Sequence, residues 1–229
     1  MKFKPSYTSS IAEDIMAERL IRAQAVEFLA DAPMRLKSGL ISPVYVDNRK
    51  LFSHPEAWRD IVETMASRVE EYDLEFDIVA GVEAAGSMHA AALAYRLGLP
   101  AIMVRQKAKT YGNHSRIEGG DVKGMRVLLL EDHISTGLSC LDAIRALRGE
   151  GAQVTQVMSI TNYAIPETQR LFKQEGIDTY DVIAFEKVVQ KAKEMGVIDD
   201  EHEKLVLEWL QTPWTWAAMH GVVASAIEN

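Results

Sequence analysis

The sequence contains a single cysteine, Cys140, among its 229 residues. One cysteine excludes an internal disulfide framework and any metal site built from several cysteines, and it suits a reducing compartment. The first seven residues contain no apolar segment followed by small residues, so the sequence predicts no secretory signal. We therefore expect a cytoplasmic protein.

Basic residues are in the minority: 25 Lys and Arg stand against 33 Asp and Glu, which gives a net charge of −8. This charge repels nucleic acid and anionic membranes, so we expect neither as a partner. The most apolar region, 76–104, is interrupted by Glu83, His89 and Arg96, which are costly in a spanning helix. An anionic ligand therefore needs a local cluster of basic residues.

The composition, with 48% apolar and 25% charged residues, is that of an ordinary globular domain. The length is below the roughly 250 to 300 residues at which a single core stops growing. We predict one domain over 1–229, with an N-terminal helix and a small hood at about 1–50, a central core at about 76–163 and a helical C-terminal extension at about 164–229.

The central core alternates between strand and helix patterns. The predicted strands are 77–81, 101–104, 127–130 and 154–161. The predicted helices are 88–97, between the first two strands, and 141–148, between the last two. Repeated strand-helix-strand units imply right-handed crossovers and a parallel sheet. The predicted fold class is therefore α/β.

The flanking regions carry weaker patterns. Ser10 and Glu13 match a capping box and begin an apolar periodicity that predicts a helix over 10–29. Trp214 and Trp216 are expected to pack in the interior. The remaining predicted elements are a hairpin of 34–37 with 41–46, helices at 55–72, 167–174, 181–195 and 201–211, and a short strand near 177–180.

The strongest chemical signal lies in the segment 126–139, RVLLLEDHISTGLS. A strand-like apolar run ends in Glu131 and Asp132 and passes through a Ser-Thr-Gly loop into a helix. In open α/β sheets ligands bind beyond the carboxyl ends of the strands, where a helix start offers unpaired N–H groups to a phosphate. The alternative is that Ser139 caps the helix and that the two acids are exposed turn residues.

Competing motifs are absent from the sequence. The segment 81–87 has Walker-like glycine spacing but no lysine, and no G-x-G-x-x-G opens a helix. Neither H-E-x-x-H nor G-x-S-x-G occurs. These absences exclude the P-loop, Rossmann, metalloprotease and α/β-hydrolase interpretations.

The segment 131–139 resembles the PRPP-binding motif of type I phosphoribosyltransferases. Three further segments, 36–43 (LKSGLISP), 81–86 (GVEAAG) and 105–119 (RQKAKTYGNHSRIEG), narrow the resemblance to orotate phosphoribosyltransferases. The four segments occur in the family's order and extend the resemblance over about 10–163. It implies the type I phosphoribosyltransferase fold and the conversion of orotate and PRPP to orotidine 5′-monophosphate and diphosphate in pyrimidine synthesis. It also implies a homodimer with shared active sites and a requirement for Mg²⁺, held largely by the substrate and not by protein ligands.

The resemblance also implies roles for individual residues. Glu131, Asp132 and Lys109 are the expected catalytic residues, with the two acids stabilising positive charge on the ribose. The expected PRPP contacts are Lys37, Arg105, Lys109, Tyr111, Glu131, Asp132, His133, Ile134, Ser135, Thr136, Gly137, Leu138 and Ser139. The expected orotate contacts are Lys37, Tyr45, Ser135 and Tyr163. For Tyr45, a role as a plain core aromatic is an equal alternative.

The basic segment 105–120 has two interpretations. In an extended chain Arg105, Lys107 and Lys109 share one face, which suits a clamp on diphosphate. The alternative is a solvated basic hairpin. The resemblance favours the clamp and implies that it serves the neighbouring subunit.

Two positions differ from some orotate enzymes. Ala85 stands where some have a lysine, and Tyr163 where some have an arginine that binds the orotate carboxylate. A purine or uracil is therefore an alternative base, and a non-catalytic PRPP-sensing regulator is a third hypothesis. The regulator requires a nucleic-acid-binding element, but the segment 11–31 has five acids against two arginines.

Overall fold

The computed structural model describes residues 9–108 and 115–222, with side chains from residue 12 onward. The helices in these ranges are α1 (Ser9–Arg22), α2 (Pro55–Glu71), α3 (Ala85–Leu97), α4 (Leu138–Gly149), α5 (Pro166–Gln174), α6 (Phe185–Glu194), α7 (Asp200–Gln211) and α8 (Trp216–Met219), with a 3₁₀ helix at Asn48–Ser53. The strands are β1 (Val26–Phe28), β2 (Met34–Arg35), β3 (Ile41–Ser42), β4 (Val44–Val46), β5 (Ile78–Val82), β6 (Ala101–Val104), β7 (Ile117–Glu118), β8 (Arg126–Ile134), β9 (Gln153–Asn162) and β10 (Asp178–Ala184).

Six strands form the central sheet in the order β10-β9-β8-β5-β6-β7. All neighbours are parallel except β7, which runs antiparallel to β6. The strands alternate with helices along the chain, so the predicted α/β fold with a parallel sheet is confirmed. The predicted hairpin of 34–37 with 41–46 is confirmed only for its inner part, where β2 pairs antiparallel with β3. Residues 44–46 form β4, which pairs with β1 instead.

The sheet separates two apolar layers. Along β8, Val127 and Leu129 belong to the core beneath α4 and α5, whereas Leu128 and Leu130 belong to the opposite core, to which α1, α2, α3 and α6 contribute. Successive side chains of a strand point to opposite faces, so covering both faces requires an unbroken apolar run. This burial explains why β8 reads as RVLLL before its first acid.

The predicted helix over 10–29 is wrong beyond Arg22. Gln24 has a φ of 54°, in the left-handed region, which ends the helical path. The chain then enters β1, whose Val26 lies opposite Val46 of β4 in an antiparallel pair. The strands β1–β4 and the 3₁₀ helix form a small lobe, here called the hood. The capping prediction at Ser10 lies outside the described side chains.

The predicted helix over 181–195 begins too early. Residues 178–184 form β10, which pairs in parallel with β9 at the edge of the sheet, and the helix begins at Phe185. Val182 and Ile183 are consecutive and buried, as expected for a strand covered on both faces.

The C-terminal helices pack against the hood. The indole Nε1 of Trp209 donates a 2.8 Å hydrogen bond to the carbonyl of Ile41 in β3. Trp216 is buried as predicted, but Trp214 is 54% exposed, so its predicted interior packing is wrong. No helix in the described part of the chain is long and apolar enough to cross a membrane.

Candidate active site

A cleft of about 540 Å³ lies between the hood and the carboxyl end of β8. Most of the predicted site residues line it, namely Lys37, Tyr45, Glu131, Asp132, His133, Ile134, Ser135, Thr136, Gly137, Leu138, Ser139 and Tyr163. Segments that are distant in sequence thus meet at one edge of the sheet. Lys109 and Tyr111 lie outside the described residues.

Two adjacent acids form the floor of the cleft. Glu131 is buried, and its Oε1 accepts a 3.2 Å hydrogen bond from the backbone N–H of Asp132. Burial raises the pKa of Glu131 well above its usual range, and the neighbouring charge of Asp132 adds to this effect. Burial also raises the pKa of Asp132. When both are ionised, these poorly solvated carboxylates attract developing positive charge more strongly than they would in water.

The loop after these acids leaves backbone donors free at the start of α4. Gly137 has a φ of 72°, and no side chain in the described ranges caps the helix. A Cβ at Gly137 would lie 2.9 Å from both Phe172 and Thr168, so position and backbone angle both require glycine. The buried hydroxyl of Ser135 has no partner among the described residues. Free N–H groups and hydroxyls at a helix start are suited to a phosphate.

A buried network fixes the hood to the backbone of Asp132. The side-chain Nδ2 of Asn48 donates to the carbonyl of Asp132 at 2.7 Å and to the hydroxyl of Thr161 at 3.2 Å. The ring Nδ1 of His133 lies 2.9 Å from the same hydroxyl. Burial lowers the pKa of His133 to about 3, so the ring is neutral at pH 7. The network holds the backbone that positions Asp132.

The hood contributes basic side chains to the cleft. Lys37 Nζ lies 3.5 Å from the side-chain oxygen of Gln106, which follows β6. Arg49 donates from Nε and Nη2 to the two carboxylate oxygens of Asp47 at 2.6 and 3.0 Å. Burial opposes ionisation of Asp47, but the hydrogen bonds and charge of Arg49 outweigh it and lower the pKa of that carboxyl. The hood therefore presents an ordered ion pair beside Tyr45.

Two of the predicted ligand contacts differ from the rest: Tyr163 is buried, and Arg105 lies outside the cleft lining. Tyr163 is 2% exposed, its ring packs edge-on against His133, and its hydroxyl donates to the carbonyl of Val44 at 3.3 Å. Arg105 does not line the cleft but pairs with Glu118 at 3.2 Å. Their predicted ligand contacts remain predictions.

Several cleft residues were missed by sequence reasoning. Asp47 and Arg49 follow a predicted strand, and polar residues directly after a strand were the available signal. Glu83 stands within GVEAAG, and Gln106 follows Arg105 in the basic segment. The segment 135–139 is here called the phosphate loop. Cys140, one residue beyond it, donates its thiol to Glu131 at 3.9 Å.

The comparison with protein families identifies the class. A model described as a phosphoribosyl transferase domain matches residues 47–194, which include the acids, the phosphate loop and all six strands of the central sheet. Fold and cleft together therefore define a phosphoribosyltransferase.

Individual relatives narrow this class. The orotate phosphoribosyltransferase of Coxiella burnetii is 41% identical over 201 residues, covering 88% of this chain and 96% of that protein. The enzyme of the same name from Sinorhizobium medicae is 36% identical over 231 residues, covering 99% and 100%. The crystal structure of orotate phosphoribosyltransferase from Aeropyrum pernix aligns with a TM-score of 0.68 and 28% identity, covering 80% of this chain and 99% of that one. The chain belongs to the orotate phosphoribosyltransferase family.

Proposed function

We infer that this chain transfers the phosphoribosyl group of PRPP to orotate, giving orotidine 5′-monophosphate and diphosphate in pyrimidine synthesis. The observation that carries this function is the cleft in which the buried Glu131, the half-buried Asp132, an uncapped helix start and the hood's basic side chains meet. The acids match the ribose, the helix start matches its 5′-phosphate, and the basic side chains match the anionic base.

The chemistry is a substitution at the ribose C1 atom. The bond from C1 to the diphosphate oxygen breaks, and its electron pair leaves with the diphosphate. A bond from N1 of orotate to C1 forms, and the N1 proton is released to solvent. Positive charge builds on the sugar between these events. Glu131 and Asp132 would stabilise that charge while hydrogen-bonding the ribose hydroxyls.

The phosphate loop would hold the other end of PRPP. The backbone N–H groups of the first turn of α4, with the hydroxyls of Ser135, Thr136 and Ser139, are donors at a positive helix dipole. An anchored 5′-phosphate fixes the distance between C1 and the acids. Positioning of this kind supplies much of the rate enhancement in transfer reactions.

The donor set of the cleft fits a substrate that carries Mg²⁺. Four carboxylates, those of Asp47, Glu83, Glu131 and Asp132, line it. No cluster of three or more metal-ligating residues occurs in the described ranges, 9–108 and 115–222. The ion would be held mainly by PRPP oxygens, with Glu131 and Asp132 nearby, and when bound it would neutralise the charge of the diphosphate.

We also infer that the enzyme acts in the cytoplasm as a homodimer in which the basic segment 105–120 serves the partner's cleft. The variants Lys109→Ala and Asp132→Asn, each expected to be nearly inactive alone, test this when they are unfolded and refolded together. In a mixed dimer one cleft would receive both defects and the other neither, so activity should reappear. If the segment serves its own subunit, every cleft keeps a defect and mixing restores nothing.

A panel of bases tests the activity itself. Orotate, uracil, hypoxanthine and guanine are each supplied with PRPP and Mg²⁺, and kcat/KM is measured. Orotate should be the preferred base. Faster use of uracil or a purine would assign the cleft to another base, and no turnover with any base would favour the non-catalytic regulator.

A further inference from the structure

The cleft contains few groups that can recognise the carboxylate that distinguishes orotate from uracil. Among the described residues that line it, Lys37 and Arg49 are the basic ones. Tyr163 cannot supply a positive charge. Burial raises the pKa of its phenol, so the group stays neutral, and its hydroxyl already donates to the carbonyl of Val44. Recognition of an anionic base therefore depends on the hood cations.

Arg49 is held in one orientation with part of its guanidinium free. Its Nε and Nη2 face Asp47, whose Oδ1 also accepts the backbone N–H of Arg49 at 3.2 Å. Within the described part of the chain, Nη1 makes no hydrogen bond, and the side chain is 60% exposed. An arginine fixed along one edge keeps donors on the other for a second planar acceptor.

The location of this free edge indicates which ligand group it meets. Nη2 lies 3.5 Å from the hydroxyl of Tyr45, on the hood wall of the cleft. The charge of Arg49 also acts on Asp132 on the floor. The phosphate loop, 135–139, also lines the cleft and offers its own donors to a phosphate. A ligand that sits between the acids and the hood therefore meets Arg49 at its base end.

We propose that Arg49, oriented by Asp47, binds the carboxylate of the base and makes the enzyme selective for orotate over uracil. The proposal rests on the orotate activity inferred above. A planar guanidinium can bond both oxygens of a carboxylate, whereas the ammonium of Lys37 acts as a point charge. Arg49 is thus a specificity residue, and Lys37 contributes general attraction for anions.

The test compares the affinities of orotidine and uridine 5′-monophosphates, which differ only in the carboxylate. Calorimetry is performed on the wild type, on Arg49→Gln and on the control Arg22→Gln. Arg22 is likewise an exposed arginine paired with a carboxylate, Glu18 at 2.6 Å, but it lies on α1 away from the cleft. Loss of a charge-assisted pair should weaken orotidine monophosphate binding by about 10- to 100-fold in Arg49→Gln and leave uridine monophosphate within about twofold. The control should bind both nucleotides like the wild type.

Kinetics separate the remaining outcomes. In Arg49→Gln the KM for orotate should rise while the KM for PRPP stays unchanged. Equal weakening of both nucleotides, or a rise only in the KM for PRPP, would overturn the proposal and place Arg49 on the phosphoribosyl moiety. A wild-type enzyme that does not use orotate would refute the proposed function instead, so the two failures are distinguishable. Thermal unfolding of each variant verifies that the fold is intact.

Discussion

Replacing Asp132 with asparagine removes one negative charge from the cleft floor and leaves the shape of the side chain almost unchanged. The half-buried carboxylate is poorly solvated, and burial raises its pKa. At about 4 Å and an effective dielectric constant of about 20, a full positive charge would gain about 4 kcal/mol from it. Loss of a preorganised electrostatic group costs about 2.7 to 4 kcal/mol in known enzymes. We therefore expect kcat of Asp132→Asn to fall by about 100- to 1,000-fold.

The assay is steady-state consumption of orotate at saturating PRPP, with Asp178→Asn as the matched control. Asp178 is exposed at the start of β10 and does not line the cleft, so the control should keep wild-type kcat. The melting temperature of Asp132→Asn should not fall, because the substitution removes a carboxylate whose ionisation is opposed by burial. A folded Asp132→Asn enzyme with nearly wild-type kcat would refute the electrostatic role and leave the acid as a turn residue.

Three further predictions concern the scaffold. Gly137→Ala should abolish PRPP binding in calorimetry and lower the melting temperature, because the added Cβ meets Phe172 at 2.9 Å and φ is positive. Binding at wild-type affinity would contradict the proposed loop geometry. Burial raises the pKa of Asp181 to about 6, so the folded state binds a proton more tightly than the unfolded state. Lowering the pH from 7 to 4.5 should therefore raise the free energy of unfolding of the wild type relative to that of Asp181→Asn, as measured by denaturant unfolding. If the two proteins differ in free energy of unfolding by the same amount at both pH values, Asp181 is not buried in this way. Burial lowers the pKa of His89 to about 4 while its Nδ1 accepts from Trp58. Between pH 6.5 and 4 the free energy of unfolding of the wild type should therefore fall by up to about 3 kcal/mol relative to that of His89→Gln. An equal change in the two proteins would contradict the assignment.

The central core was predictable because its physical requirements are local. A strand covered on both faces needs consecutive apolar residues, and Val127 to Leu130 provide them. The acids and the Ser-Thr-Gly loop that follow mark the carboxyl end of the strand. The position of the cleft therefore followed from one segment together with a general property of parallel sheets.

The hood was harder to predict because its structure depends on contacts between distant residues. Val26 to Phe28 lie in an apolar periodicity that suits a helix, and pairing with β4 determines that they form a strand. The placement of Arg49 depends on the bond from Asn48 to the carbonyl of Asp132, across 84 positions of sequence. No local pattern encodes this long-range contact, so the polar residues after β4 gave no indication of where Arg49 would lie.

The central claim is that this cleft joins the ribose of PRPP to orotate. The most direct measurement follows a reaction of purified protein, orotate, PRPP and Mg²⁺ by mass spectrometry and by a diphosphate assay. The account predicts that orotate and PRPP disappear in equal amounts while orotidine 5′-monophosphate and diphosphate appear in the same amounts. Diphosphate release without orotidine 5′-monophosphate, or no consumption of orotate by the folded protein, would contradict it.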